Sequence, residues 1–282
     1  MAIIIALIPA LAWGSIGLIS GKLGGNAYQQ TLGMTFGALI FGIGTYLFTQ
    51  PVLDTKVWVL GILSGLFWSV GQSQQFQAMK YIGVSLTVPM STGMQLVANT
   101  LAGALLFAEW KTGKMVILGL LALVFLIAGA ILTSRKEKTG EPGIVNFGGG
   151  LRALIISTVG YAGYTIIVKA GALGASAVVL PQAVGMVIGA LLFSIGHQAF
   201  AKATGKNVIT GLVWGLGNVF MLVSMAQVGL AISYSLSQMG IVISTFGSIF
   251  LLGERKTQKE MVWITCGSVL IIAGGVVLGL MK

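Results

Sequence analysis

One cysteine, Cys266, and one histidine, His197, are all that the 282 residues offer of the two commonest metal-ligating side chains. A single cysteine excludes a disulfide within the chain, and the pair cannot supply the three or four protein ligands of an ordinary zinc site. Nor do they leave a Ser/His/Asp or Cys/His arrangement: His197 stands near the end of an apolar stretch beside Lys202 and Lys206, a surface position. No G-x-x-x-x-G-K-[ST] occurs, so ATP-driven chemistry has no phosphate loop here. No enzyme activity, metal or cofactor is expected. Charge is equally scarce, with 8% Asp, Glu, Lys and Arg where a soluble domain carries about 25%. Five prolines without a G-X-Y period exclude a collagen-like chain despite 42 glycines.

What is abundant is apolar. Hydrophobic residues make up 56% of the chain and the mean hydropathy is +0.98, which marks an integral membrane protein. Residues 1–21 are apolar from the second position and lack a basic n-region, as in a retained span rather than a cleaved signal. A helix crosses a hydrocarbon core of ~30 Å with about 20 apolar residues, satisfying every backbone amide within itself. Charge-free stretches run over 2–21, 23–53, 57–79, 81–108, 115–134, 153–168, 170–201, 207–253 and 261–281. The 47 residues of 207–253 are too many for one crossing and divide at Gln227-Val228-Gly229. The expectation is an all-α protein of ten transmembrane helices.

The longest polar connection, residues 135–152, contains Lys136, Lys138, Glu141, Pro142 and Gly148 to Gly150, a linker composition. It divides the chain into 1–134 and 153–282, five spans each. With the linker cytoplasmic, eleven lysines and arginines lie inside and five outside. The positive-inside rule then puts both termini outside the cell. The net charge of +10 thus reads as orientation, since the basic residues sit at span ends and form no nucleic-acid stripe.

The halves resemble each other. A shift of 146 brings Gly14-x-x-Gly17 onto Gly160-x-x-Gly163, and Gly65-x-x-Trp68-x-x-Gly71-Gln72 onto Gly211-x-x-Trp214-x-x-Gly217-Asn218. It also matches Gly83 with Gly229 and Ser91 with Ser237. A shift of 152 lays Gly33-Met34-x-x-Gly37 on Gly185-Met186-x-x-Gly189, and one of 145 lays Glu109-Trp110 on Glu254-Arg255. Five spans per copy is an odd number, so the second copy enters the membrane from the opposite side. Two inverted repeats supply two states of similar energy, one open to each side, with substrate held between the halves. A duplicated receptor or scaffold is the reading from another class.

Polar side chains within spans must face protein or a water-filled cavity. Trp68, Gln72 and Gln75 share one face of the third span, with Gln74 and Gln77 on another. Ser91, Gln95 and Asn99 follow at i, i+4 and i+8 in the fourth; Trp214 and Asn218 repeat the pattern in the eighth, and Tyr234 and Gln238 in the ninth. Amides donate and accept, as sugar hydroxyls require, and tryptophan offers a flat platform to the C–H face of a pyranose. Trp68, Gln72, Gln75, Gln95, Asn99, Trp214, Asn218 and Gln238 are therefore the candidate sugar-binding residues. Individually, the same amides also serve helix packing, and the tryptophans an interfacial belt. All six carboxylates fall in loops or at span ends, so none stands at the midplane as a proton relay would. Glu109, Glu254, Lys22 and Lys169 are candidates for gating or proton coupling, although as span-end charges they are also read as solvated or snorkelling groups.

Four runs carry a family resemblance: Pro9-Ala10-Leu11-Ala12-Trp13-Gly14-Ser15, Trp68-Ser69-Val70-Gly71-Gln72-Ser73-Gln74-Gln75, the segment from Ser85 through Pro89 and Gly93 to Leu96, and Glu109-Trp110. The chain resembles, over nearly its whole length, the bacterial glucose uptake proteins of the glucose/ribose porter family, within the drug/metabolite transporter superfamily. The resemblance implies ten helices in inverted repeats in the cell membrane, and secondary uptake of glucose by proton symport. The expected partners are a small neutral sugar, membrane lipid and the coupling proton, with no nucleic acid. An exporter of small metabolites on the same fold is the alternative within transport, because the superfamily fold does not by itself name a substrate.

Overall fold

The computed structural model describes residues 2–82, 84–133, 135, 137, 146–251 and 256–281. Among them every regular element is a helix. In order these are α1 (Ala2–Leu23), α2 (Ala27–Thr49), α3 (Thr55–Ile82), α4 (Val84–Leu101) with a π-helical turn (Ala102–Leu106), α5 (Gly113–Thr133), α6 (Phe147–Ala170) and α7 (Ala175–Ser194). A short α8 (Lys202–Lys206) precedes α9 (Val208–Val228), α10 (Leu230–Ser237), α11 (Gly240–Leu251) and α12 (Gln258–Gly279). Side-chain caps define several starts: Asn26 with Gln29 for α2, Asp54 for α3, Asn146 for α6, and Thr257 with Glu260 for α12.

Among the described residues eight segments are long and apolar enough to cross a membrane: α1, α2, α5, α6, α7, α8 with α9, α10 with α11, and α12. The long helices outside this set, α3 and α4, carry Gln72, Gln74, Gln75, Gln77, Gln95 and Asn99. Large apolar side chains cover the outside of the bundle, Phe48 at 92% exposure and Leu105 at 75% among them, as lipid contact requires. Inside, one cluster gathers Trp68, Tyr161, Met186, Trp214, Met221 and Tyr234. A second joins Leu96, Leu126 and Ile271 from α4, α5 and α12.

The packing is reciprocal. α3 lies on α6 and α7 as α9 lies on α1 and α2; α4 lies on α6 as α10 and α11 lie on α1; α5 lies on α12. Individual contacts correspond. Gly65 of α3 stands against Gln182, Gly185 and Met186 of α7, and Gly211 of α9 stands against Met34, Gly37 and Ala38 of α2. The Ser69 side chain meets Gly189, and the Phe41 ring meets Gly215. These contacts set α3 against α9 at an offset of 146 but α2 against α7 at 148. That is one helical turn from the 152 read from Gly33-Met34-x-x-Gly37. A glycine pattern with a four-residue period matches itself after a slip of one turn, which is why the sequence match misplaces it.

Three other boundaries differ from expectation or sharpen it. The segment taken as linker is helical from Phe147 on, so Gly148 to Gly150 form the first turn of α6, where the Asn146 side chain accepts from the Gly149 N–H at 2.8 Å. The break at Gly229 stands as expected, with φ at +86°, a left-handed conformation that favours glycine. A further break between Ser237 and Gly240 separates α10 from α11 and left no mark on the apolar pattern. The linker residues 136 and 138–145, together with Gly83 and Glu254, lie outside the described residues. Beyond α5, the Glu137 N–H donates to Glu260 and the Lys259 ammonium to Glu137 at 2.9 Å, holding that carboxyl below its usual range. The Arg135 guanidinium covers the Trp263 ring at 4.4 Å.

Gly160 of α6 and Gly71 of α3 bring two backbones together. A methyl group at Gly160 would stand 2.7 Å from both the Gly71 Cα and the Phe67 carbonyl, backbone atoms that cannot rotate away. Gly160→Ala is expected to destabilise the fold by about 2 kcal/mol, read as a lowered melting temperature in detergent. Gly17→Ala, with nothing within 4 Å of the added carbon, serves as the comparison and leaves it unchanged.

Candidate functional site

Helical spacing aims the α3 and α4 amides at each other and at α6 and α10. The Tyr161 hydroxyl of α6 donates to Gln72 Oε1 at 2.9 Å and lies 3.1 Å from Gln75 Oε1. Gln75 Nε2 donates to Ser91 Oγ at 2.8 Å, as does Gln95 Nε2 at 2.9 Å. The Tyr234 hydroxyl of α10 closes the chain on Gln95 Oε1 at 2.6 Å. One turn along α4, Asn99 Nδ2 donates to the Gln95 carbonyl and Asn99 Oδ1 accepts from Thr165 of α6 at 2.5 Å. Six side chains from four helices thus form one run of neutral hydrogen bonds, from Gln72 to Tyr234. Gln72 and Gln75 are half-buried, whereas Asn99 is fully enclosed.

A second run links α9, α7 and α3. Asn218 Nδ2 donates to Gln182 Oε1 at 2.6 Å, Gln182 Nε2 to Ser64 Oγ at 2.6 Å, and Ser64 to the Tyr164 carbonyl. Asn218 Oδ1 is buried without a partner among the described residues. Trp68 and Trp214 meet edge to face with ring centroids 5.5 Å apart, both buried. Trp13 of α1 donates from Nε1 to the Trp214 carbonyl at 3.3 Å and stays half-buried, the most open of the three. Of the eight candidates, Gln72, Gln75, Gln95 and Asn99 come together; Trp68, Trp214 and Asn218 lie in the adjoining core. Gln238, half-buried at the end of α10, takes no part in either run.

Sequence reasoning missed Tyr161, Thr165, Gln182 and Ser64. Gln182 was within reach of the rule that marked the other amides, since it stands mid-span after Pro181. Tyr161 sits inside Gly160-x-x-Gly163, a motif noticed only for its glycines.

Two of the four charged candidates, Glu109 and Lys169, meet at one end of the bundle. Glu109 Oε1 accepts from the Leu230 N–H at 2.6 Å and Oε2 from the Ala231 N–H at 2.9 Å, a carboxylate seated on the first turn of α10. Lys169 Nζ, at the end of α6, stands 3.4 Å from Glu109 Oε1, and the two side chains are 25% and 13% exposed. Glu109 also presses on Gly229 and Gly103, where a side chain would collide with its carboxylate. Neither residue is the freely solvated or snorkelling group that its span-end position permits. Lys22 is exposed.

Known proteins place the chain. A family model described as sugar transport protein matches residues 4–281. A protein of Lactiplantibacillus plantarum named for sugar uptake is 61% identical over the whole of both chains. The glucose uptake protein GlcU of Bacillus subtilis is 48% identical, over 100% of this chain and 99% of its own. A crystal structure 19% identical covers 99% of this chain and 96% of that one with a TM-score of 0.78, a likeness of fold. The family match over nearly every residue, on a bundle with a lipid-facing surface, makes this multi-pass membrane protein a member of the sugar transport protein family.

Proposed function

We propose that the chain is a secondary transporter taking up a neutral sugar, glucose foremost, across the bacterial plasma membrane by alternating access. The observation that carries this is the run from Gln72 through Tyr161, Gln75, Ser91 and Gln95 to Tyr234, which joins α3 and α4 to α6 and α10 through uncharged groups. Sugar hydroxyls both donate and accept, so they can replace these mutual bonds one for one. Such an exchange is nearly neutral in energy and suits a ligand that must also leave. The sugar's apolar face meets the Trp13, Trp68 and Trp214 group. No lysine, arginine or carboxylate belongs to the run, which favours a neutral cargo over an exported ion.

The architecture in this reading has ten crossings, with α3 and α4 added to the eight apolar segments, in two inverted five-helix repeats. The reciprocal packing at offsets of 146 and 148 supports it. Polar α3 and α4 cross because α6, α7 and α10 take up their amides. The cytoplasmic side carries the linker, and both termini are outside.

Glu109 and Lys169 then clasp the extracellular end, tying the segment after α4 to α6 and α10. By the match between the halves of the sequence, Glu254 and Lys22 correspond to Glu109 and Lys169, and in this scheme the cytoplasmic end closes in alternation with the extracellular one. Proton coupling, in this scheme, acts on the Glu109 and Glu254 carboxylates.

Counterflow of radiolabelled glucose in proteoliposomes, with and without a pH gradient, tests the function. Saturable flux is expected, and accumulation above equilibrium when the gradient is imposed. Saturable flux indifferent to the gradient retains the carrier but removes the proton. No glucose flux from folded protein overturns the reading.

A further inference from the structure

Away from the amide run, a pocket of about 420 Å³ opens between α2, α3 and α7 at the end of the bundle that bears α8. Tyr28, Thr31, Gln74, Gln77, Ser194 and His197 are among the residues that line it. Tyr28 and His197 stack with ring centroids 3.8 Å apart and planes 9° from parallel, forming one aromatic wall. Above it, Gln29 Nε2 and Asn26 Nδ2 reach the Gln198 carbonyl at 2.7 and 3.5 Å, so the start of α2 is fastened to the segment that carries His197. Among the described residues the amides of Gln74 and Gln77 form no hydrogen bond and no Asp, Glu, Lys or Arg lines the pocket.

The pseudo-symmetry of the bundle shows that packing does not require these polar groups. At the offset of 146, Ser73, Gln74 and Gln77 of α3 correspond to Val219, Phe220 and Val223 of α9. At 148, Tyr28 and Thr31 of α2 correspond to Ser176 and Val179 of α7. Of these five positions the second copy keeps a polar side chain only at Ser176, and there it has lost the aromatic ring. The same three-helix junction is therefore built twice, once with mainly apolar side chains and once with amides, hydroxyls and a stacked ring around an opening. Amides kept in a largely apolar span without partners are unfavourable unless something bonds to them.

We propose that this pocket is a second binding site for a hydroxylated ring, separate from the central amide run. The chemistry is that of a neutral sugar: amide donors and acceptors on one wall, an aromatic pair on the other, no charge. Phe193, an exposed apolar residue, is part of the lining, and the ring is supplied either by free sugar or by the headgroup of a glycolipid. The symmetry argument rests on the repeat architecture proposed above, whereas the pocket and its lining stand without it.

Photolabelling locates the ring directly. Wild-type protein in detergent is irradiated with a diazirine-bearing glucose, with and without excess glucose, and the labelled peptides are mapped by mass spectrometry. The same protein in nanodiscs is irradiated with a diazirine-bearing glucosyl lipid. Labelling of residues 27–31 and 190–198 is expected in at least one arm, suppressed by the unlabelled competitor. It should fall about ten-fold in Gln74→Leu/Gln77→Leu and in His197→Ala, each checked for an unchanged melting curve. Competed label there from the soluble probe identifies free sugar as the ligand, and competed label from the lipid probe alone identifies a glycolipid headgroup. Label confined to the central helices in both arms overturns the proposal while leaving the transport reading intact. A chain that carries no glucose yet labels here would do the reverse.

Discussion

Gln95→Leu is expected to lower kcat/KM for glucose uptake in proteoliposomes by about 30-fold. Gln95 has two side-chain partners, Ser91 within α4 and Tyr234 on α10, and is the buried glutamine of the run. If a bound sugar takes over both positions, the leucine removes two neutral hydrogen bonds of about 1 kcal/mol each, and 1.4 kcal/mol is a factor of ten. Leucine is close to glutamine in size and suits a buried helix, so the effect should fall on transport rather than on the fold. Thr158→Val serves as the comparison, since the Thr158 hydroxyl bonds only to the Leu154 carbonyl of its own helix. Uptake by Gln95→Leu within three-fold of wild type, with equal melting temperatures, would remove the amide run from the sugar's path.

Loss of the clasp should be felt still more strongly. Glu109→Ala takes away two charge-assisted bonds to the first turn of α10 and the ion pair with Lys169. At about 1.5 kcal/mol for each charged bond, the clasped state loses about 3 kcal/mol, a shift of roughly 100-fold in a two-state equilibrium. Amide hydrogen exchange at Leu230 and Ala231 is expected to quicken by about that factor, and sugar uptake to fall with it. Lys169→Met keeps both amide bonds and should show a small part of the effect. Exchange at α10 unchanged in Glu109→Ala would mean that the carboxylate holds nothing shut.

Helix type and membrane residence were legible because both follow from long charge-free runs, a signal that survives any detail of packing. The face shared by Gln72 and Gln75, and the file of Ser91, Gln95 and Asn99, were legible for the same local reason: helical spacing alone sets them. What completes the site was not. Tyr161 and Thr165 lie 66 to 89 residues from the amides they meet, and nothing in a single sequence ranks such pairs. The register of α2 with α7 failed because a four-residue glycine period is blind to a one-turn slip. Trp68 and Trp214 were matched across the halves, but that the two rings meet each other edge to face is a contact between distant helices that spacing does not announce. Glu109 is the sharpest case: its neighbours in sequence, Trp110 and Lys111, describe a surface loop, whereas its carboxylate is fixed by backbone 121 residues away.

The partnership of α3 with α6 and α7 bears on how the molecule is made. Ribosomes deliver α3 and α4 to the bilayer before Tyr161 and Thr165 exist, so Gln72 Oε1, Gln75 Oε1 and Asn99 Oδ1 arrive without the hydroxyls that bond them in the finished fold. Lipid tails offer no substitute. The first 134 residues therefore cannot finish folding as they emerge, and they must wait at the insertion site, or sit shallowly at the headgroups, until α6 and α7 are synthesised. Biogenesis in this protein runs ahead of assembly by half a chain, and the amide-bearing face of α3 and α4 is the last part to leave water.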